Sequence, residues 1–179
     1  MKLTLFTAHV VLAVLGASTI ACSTSGSSSI STPVPAAIAV PEGHKAVLTL
    51  VGAGDLTYEC RMKADKYGYE WAFVGPNAVL MDADKKTVGK YYAGPTWESM
   101  DGSKVTGKQL AVSPTPDAIP LQLVQANPAT GSGAMSGVTY IQRLKTQGGT
   151  APKDACAAGN AGAKQTVKYQ ADYVFFKAN

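Results

Sequence analysis

From Pro41 onward, apolar and polar residues alternate with a period of two, the pattern of strands that bury one face and wet the other. Residues 46–51 read as one strand, ended by Gly52-Ala53-Gly54. In the next strand Leu56, Tyr58, Cys60 and Met62 face one way, and Thr57, Glu59, Arg61 and Lys63 the other. Residues 69–74 follow across Asp65-Lys66-Tyr67-Gly68, and residues 79–81 and 87–92 flank the polar turn Asp82-Ala83-Asp84-Lys85-Lys86. Further strands are expected at 104–112, 120–125, 137–145 and 166–177. The last two alternate most clearly. Val138, Tyr140, Gln142 and Leu144 oppose Thr139, Ile141, Arg143 and Lys145; then Val167, Tyr169, Ala171, Tyr173 and Phe175 oppose Lys168, Gln170 and Asp172. No convincing helix of ten residues or more is present, and helical turns are confined to around 155–163, where Gly159 and Gly162 shorten them. About nine short strands predict an all-β fold, an antiparallel β-sandwich or a partly closed barrel with little helix.

Composition narrows this to one domain. The chain has 179 residues, 46% hydrophobic, with 18 Gly and 10 Pro, enough for one core and many turns. Its net charge of +4 is small and scattered, so a nucleic-acid partner is not expected.

The first 21 residues read as a processing segment. Met1-Lys2 is a short basic start, residues 10–15 form an apolar run, and Gly16, Ala17, Ser18 and Thr19 are small. That run is too short to span about 30 Å of hydrocarbon, and the layout is that of a secretory signal. Ser18-Thr19-Ile20-Ala21-Cys22 resembles a bacterial lipobox, with Thr19 where leucine is usual. The resemblance implies cleavage before Cys22, lipid on its thiol and attachment to a membrane, expected to be the outer one because no Asp follows the cysteine. Ordinary cleavage and a secreted product are the alternative. Residues 22–40 then supply the lipidated cysteine and an uncharged Ser/Thr/Pro-rich tether with a root-mean-square reach of about 25 Å. Residues 41–179 form the single β domain.

With Cys22 spent on lipid, Cys60 and Cys156 remain. An even number in an exported chain reads as one disulfide. The rival is a metal pair, but neither a CxxC motif nor a nearby histidine supports it.

The domain resembles the exported bacterial and fungal family catalogued as domain of unknown function 3455. The likeness is carried by Pro41-Glu42-Gly43-His44, Tyr58-Glu59-Cys60-Arg61, Tyr69-Glu70-Trp71-Ala72-Phe73-Val74 and Tyr92-Ala93-Gly94-Pro95-Thr96-Trp97-Glu98. It continues in Asp101-Gly102-Ser103, Ser136-Gly137-Val138-Thr139-Tyr140-Ile141-Gln142-Arg143 and Cys156. The resemblance implies one secreted or surface-anchored β domain, and no reaction, substrate or cofactor.

Candidate chemistry is thin. His44 is the one histidine left after the signal, which starves metal and triad mechanisms of imidazole, and it reads as a hydrogen-bonding residue at a strand entrance. No GxSxG, HExxH, P-loop or GxGxxG motif occurs. No metal and no cofactor are expected. Glu59, Glu70, Glu98, Asp101 and Asp172 are the carboxylates available for acid–base work, which needs two of them about 5–10 Å apart. Glu59 and Arg61 share a strand face and read as a polar pair. Asp101-Gly102-Ser103 reads as a turn, with Asp accepting backbone hydrogen bonds and Gly supplying positive φ.

The most suggestive stretch is Tyr91 to Glu98, where aromatic rings beside a carboxylate can stack on a sugar or an aromatic ligand. The same residues also suit a core plug built on Trp97. The expected ligand-binding set is Tyr92, Trp97, Glu98 and Arg143. The chain is therefore read as a lipid-anchored envelope domain that binds a small molecule, a glycan or a protein. The alternatives are a small carboxylate-dependent hydrolase of an envelope polymer and a structural surface protein.

Overall fold

The computed structural model describes residues 33–179. The signal segment, Cys22 and residues 23–32 of the expected tether lie outside the described residues. Eight antiparallel strands follow one another around a ring: β1 (His44–Met62), β2 (Tyr69–Met81), β3 (Thr87–Tyr92), β4 (Thr96–Ser99), β5 (Lys104–Thr115), β6 (Ala118–Ala126), β7 (Val138–Gly148) and β8 (Lys164–Ala178). Each pairs with the next, and β8 returns to pair with β1 from His44↔Ala178 to Glu59↔Lys164. Of the two all-β architectures expected, the chain forms the closed barrel, which leaves the first and last strands paired to each other.

The strand count differs from the expected nine because glycine and proline sit inside strands as well as between them. Residues 46–51 and 56–62 are one continuous strand through Gly52-Ala53-Gly54. A Cβ on Gly52 would lie 2.5 Å from the Tyr173 ring, and one on Gly54 would collide with the Asn77 carbonyl. These glycines let neighbouring groups come close, a role that leaves the same trace in a sequence as a turn. Residues 69–74 and 79–81 likewise merge into β2 through Gly75-Pro76, where a bulge faces the Thr57/Tyr58 step of β1. Thr96–Ser99, absent from the expected strands, is the short strand β4.

A bulge also changes which side chains β7 turns inward. Val138 pairs with Lys177 and Tyr140 with Phe176, so Thr139 is an extra residue in the ladder. The parity of the strand reverses there. Val138 and Ile141 are both buried in the core, and Arg143 follows Ile141 on the inner face. In β8 the ladder runs without interruption from Arg143↔Tyr173 to Tyr140↔Phe176, and Tyr169, Ala171, Tyr173 and Phe175 all face inward as the alternation predicts.

One half of the interior is solidly filled by Leu50, Leu80, Trp97, Met135, Val138, Ile141 and Phe175, all in the buried core cluster. Loop 127–137, which brings in Met135, is held by Asp101 and Ser103. Asp101 accepts hydrogen bonds from the Ser103 N–H, the Ser103 hydroxyl and the Ala134 N–H, and the Ser103 hydroxyl accepts from the Met135 N–H at 3.1 Å. Gly102 has φ 87°, so this turn is built as its residues predict.

Outside the barrel, residues 33–43 lie against the wall. A 3-10 turn at Ala36–Ile38 buries Ile38 completely, and the Gln142 amide donates to the Ile38 carbonyl at 2.7 Å. The described end of the segment expected as tether is thus fastened to the outer faces of β5–β7. Apolar Ile38 offers the burial that a Ser/Thr run lacks.

Candidate functional site

The other half of the barrel interior is hollow. β3 and β4 are six and four residues long, whereas β2 and β5 have 13 and 12. β2 pairs with β3 only from Asn77 onward, and β5 pairs with β4 only through Lys104–Thr106. The short β3–β4 hairpin therefore leaves a notch in the wall between residues 69–76 of β2 and 107–115 of β5. A cavity of about 470 Å³ opens there, edged by Phe73, Val74, Gly75 and Pro76 on one side and Gly107 and Gln109 on the other. Small and cyclic residues at the notch (Gly75, Pro76, Gly94, Pro95, Gly107) do not fill the space that bulky inward residues fill in the opposite half.

Four tyrosines and one arginine furnish the inner wall: Tyr58 of β1, Tyr91 of β3, Arg143 of β7, and Tyr169 and Tyr173 of β8. The Tyr58 hydroxyl donates to the Gly149 carbonyl at 2.7 Å, and its ring meets Phe73 edge-on with centroids 5.6 Å apart. The Tyr169 and Tyr173 hydroxyls are 3.3 Å apart and share one hydrogen bond. Two phenols bring two hydroxyl hydrogens to that bond, so one is left for another acceptor.

Arg143 is half-buried. Its Nε and Nη2 donate to the Pro120 carbonyl at 3.1 and 2.9 Å. Among the described residues it makes no ion pair, because the five ion pairs take Lys and Arg residues at other positions. Among the described residues, no Asp or Glu lines the cavity. Burial pushes all four phenols above the usual tyrosine range, and the nearby guanidinium pulls them back only in part. The tyrosines are thus neutral donors at physiological pH, and the cavity carries a single positive charge.

The four residues expected to bind ligand do not meet. Trp97 is fully buried and stacks on Tyr91 with centroids 4.7 Å apart, so it is the core plug. It does not line the cavity but packs on Tyr91 and Tyr173, which do. Tyr92 and Glu98, one residue out of phase with the inward Tyr91 and Trp97, lie together on the outer face. There the Tyr92 hydroxyl donates to Glu98 Oε2 at 2.6 Å, and Lys90 Nζ stands 3.4 Å from Oε1. The Tyr92 hydrogen bond, with Lys90 behind it, holds the Glu98 carboxyl below its usual range and pushes the Tyr92 phenol up. This is a cross-strand cluster that satisfies itself. Of the expected set, Arg143 alone lines the cavity.

The cavity-lining residues that the sequence reading did not single out as a group are the inward tyrosines. Their trace in the sequence is a polar hydroxyl at core-facing positions, where phenylalanine would bury the same ring without a polar atom to satisfy.

Of the other candidates, His44, Glu59 and Asp172 have structural partners, and Glu70 makes no side-chain hydrogen bond or ion pair among the described residues. His44 opens β1, its Nδ1 donating toward the Pro41 carbonyl at 3.1 Å and its ring edge-on to Tyr140. Glu59 takes two hydrogen bonds from Arg61, at 2.9 and 3.0 Å, as the shared strand face predicts. Asp172 pairs with Lys145. Among the described residues, no three His, Cys, Asp or Glu side chains are grouped to hold a metal ion.

Cys60 and Cys156 form the expected disulfide, with Cα atoms 5.5 Å apart. Cys60 follows Leu56 and Tyr58 on the inward face of β1, so the bridge fastens loop 149–163 at the hollow end. The Trp71 indole N–H, donating to the Asp154 carbonyl at 2.8 Å, holds the same loop. A disulfide between partners so distant in the chain is consistent with an exported protein.

No curated protein and no solved structure matches the chain. The model of one family, described as Protein of unknown function (DUF3455), matches residues 41–177, from the approach to β1 to the end of β8, and the chain belongs to that family.

Proposed function

We propose that this is an exported, envelope-tethered barrel that binds a small molecule in its hollow half. The observation that supports this reading is the 470 Å³ cavity, open through the notch and lined by apolar groups around a few convergent polar ones. Small-molecule sites have this size and make-up, about 300–1,000 Å³, and an eight-stranded barrel is just wide enough to hold one small ligand. Binding fits the lining better than hydrolysis does, because no carboxylate among the described residues lines the cavity to act as acid or base. The Cys22 lipobox resemblance supports attachment to a membrane by lipid.

The neutral fluorophore N-phenyl-1-naphthylamine tests the cavity. It should bind the exported protein saturably, one per chain, and Gln122→Trp, which projects an indole from the lining, should abolish that binding while leaving the circular dichroism spectrum intact. Undiminished binding in a folded Gln122→Trp variant refutes the site. Attachment is tested separately. Mass spectrometry of the mature chain should find acyl mass on Cys22, and a Cys22→Ala variant should leave the membrane fraction.

A further inference from the structure

Resting on the binding reading above, we propose that the cavity selects an aromatic carboxylate, its acid group on the Arg143 guanidinium and its ring among the tyrosines. Charge complementarity is the first argument. Buried charges in proteins are ordinarily paired, yet half-buried Arg143 makes no ion pair among the described residues, and none of their Asp or Glu side chains lines the cavity. The counter-charge has to come from solvent or from a ligand.

Geometry narrows the anion. Two N–H groups, on Nε and Nη2, converge on the single Pro120 oxygen and orient the guanidinium plane. The Nη1–Nη2 edge has no side-chain partner among the described residues. That edge presents two parallel N–H donors, the fork that a planar carboxylate meets in two hydrogen bonds. The surplus hydroxyl hydrogen of the Tyr169–Tyr173 pair is a further donor in the same wall. A single cation without lysine or a second arginine in the lining suits a monoanion better than a phosphate dianion.

The remaining surface selects the body of the ligand. Tyr58, Phe73, Tyr91, Tyr169 and Tyr173 place five rings around the space, with Leu56 and Ile119 filling between them. Rings prefer offset or edge-on contact with other rings, as Tyr58 and Phe73 already show at 66° to each other. An aromatic acid meets both demands at once, whereas a sugar leaves the apolar wall unmatched and a neutral arene leaves Arg143 without its counter-charge.

Calorimetric titration of the exported protein with 1-naphthoate and with its neutral isostere 1-naphthamide decides the matter. The naphthoate should bind about tenfold or more tighter, the scale of a hydrogen-bonded charged partner. Arg143→Gln should remove that preference, leaving naphthoate no tighter than the amide. Equal or weaker binding of naphthoate by the unmodified protein overturns the charge inference, and this arm needs no variant to fold. A folded Arg143→Gln protein that still prefers naphthoate overturns it as well. If N-phenyl-1-naphthylamine continues to bind in either case, the cavity reading survives and only the ligand class is wrong. If none of the three compounds binds, both fall.

Discussion

The barrel interior has two halves made from the same eight strands, and they follow opposite rules. In one, Trp97, Phe175, Leu80, Ile141 and Met135 close-pack with almost no exposure. In the other, inward tyrosines and Arg143 surround an open space, and glycine and proline stand at its edge. Trp97 links them, touching Phe175 in the first half and Tyr91 and Tyr173 at the border of the second. The difference shows that an all-β core can be close-packed over part of its length while the remainder stays open around polar groups such as Arg143.

Substitutions in the two halves should therefore differ in what they cost. Trp97→Ala empties the centre of the packed half and should lower unfolding free energy by about 3–5 kcal/mol. Tyr58→Phe, at the cavity, removes only one hydroxyl and its bond to Gly149, a loss of about 1 kcal/mol. Denaturant unfolding of the two variants measures both, and similar values would erase the distinction. At the border, Gly52→Ala drives a methyl against the Tyr173 ring and should cost about 1–3 kcal/mol by overpacking. Restoration of stability by adding Tyr173→Ala, relative to the sum of the two single changes, would locate that strain in this contact.

The smallest effect separates the halves by pH. Asp101 clasps the loop that carries Met135 into the packed half, and its carboxyl is held down to about 2, first by the Ser103 hydroxyl and then by the Ala134 and Ser103 N–H groups. A carboxylate whose folded pKa is depressed contributes stability above its unfolded value and loses it as pH falls toward the folded one. The protein should therefore weaken between about pH 4 and pH 2, and Asp101→Asn should flatten that loss while being less stable at neutral pH. Thermal unfolding across the range tests the sign. The four cavity phenols should not contribute there, since burial pushes them further above the usual tyrosine range and they stay neutral throughout it.

The legibility of the chain follows the same border. Alternation in β8 named Tyr169, Ala171, Tyr173 and Phe175 as one buried face, and the uninterrupted ladder opposite β1 at those positions bears this out. Asp101-Gly102-Ser103 declared its turn, because an Asx hydrogen bond and a positive-φ glycine act within three residues. The cysteines declared their pairing by count. Tyr92 and Glu98 were adjacent enough to be read together, but not to be placed. Their parity relative to Trp97 puts them outside the barrel. Arg143 lines the cavity and the other three residues of the expected set do not, because its inward position depends on the Thr139 bulge and its cavity neighbours come from strands distant in sequence.

Local periodicity, turn chemistry and cysteine count were sufficient for an all-β domain, its buried faces in the regular strands and its bridge, since each depends on residues close in the chain or on a simple tally. The closure of β8 onto β1, the inversion of β7 and the notch left by a short hairpin belong to the assembled barrel. A cavity is the volume that eight strands together fail to fill, and no single strand carries that quantity.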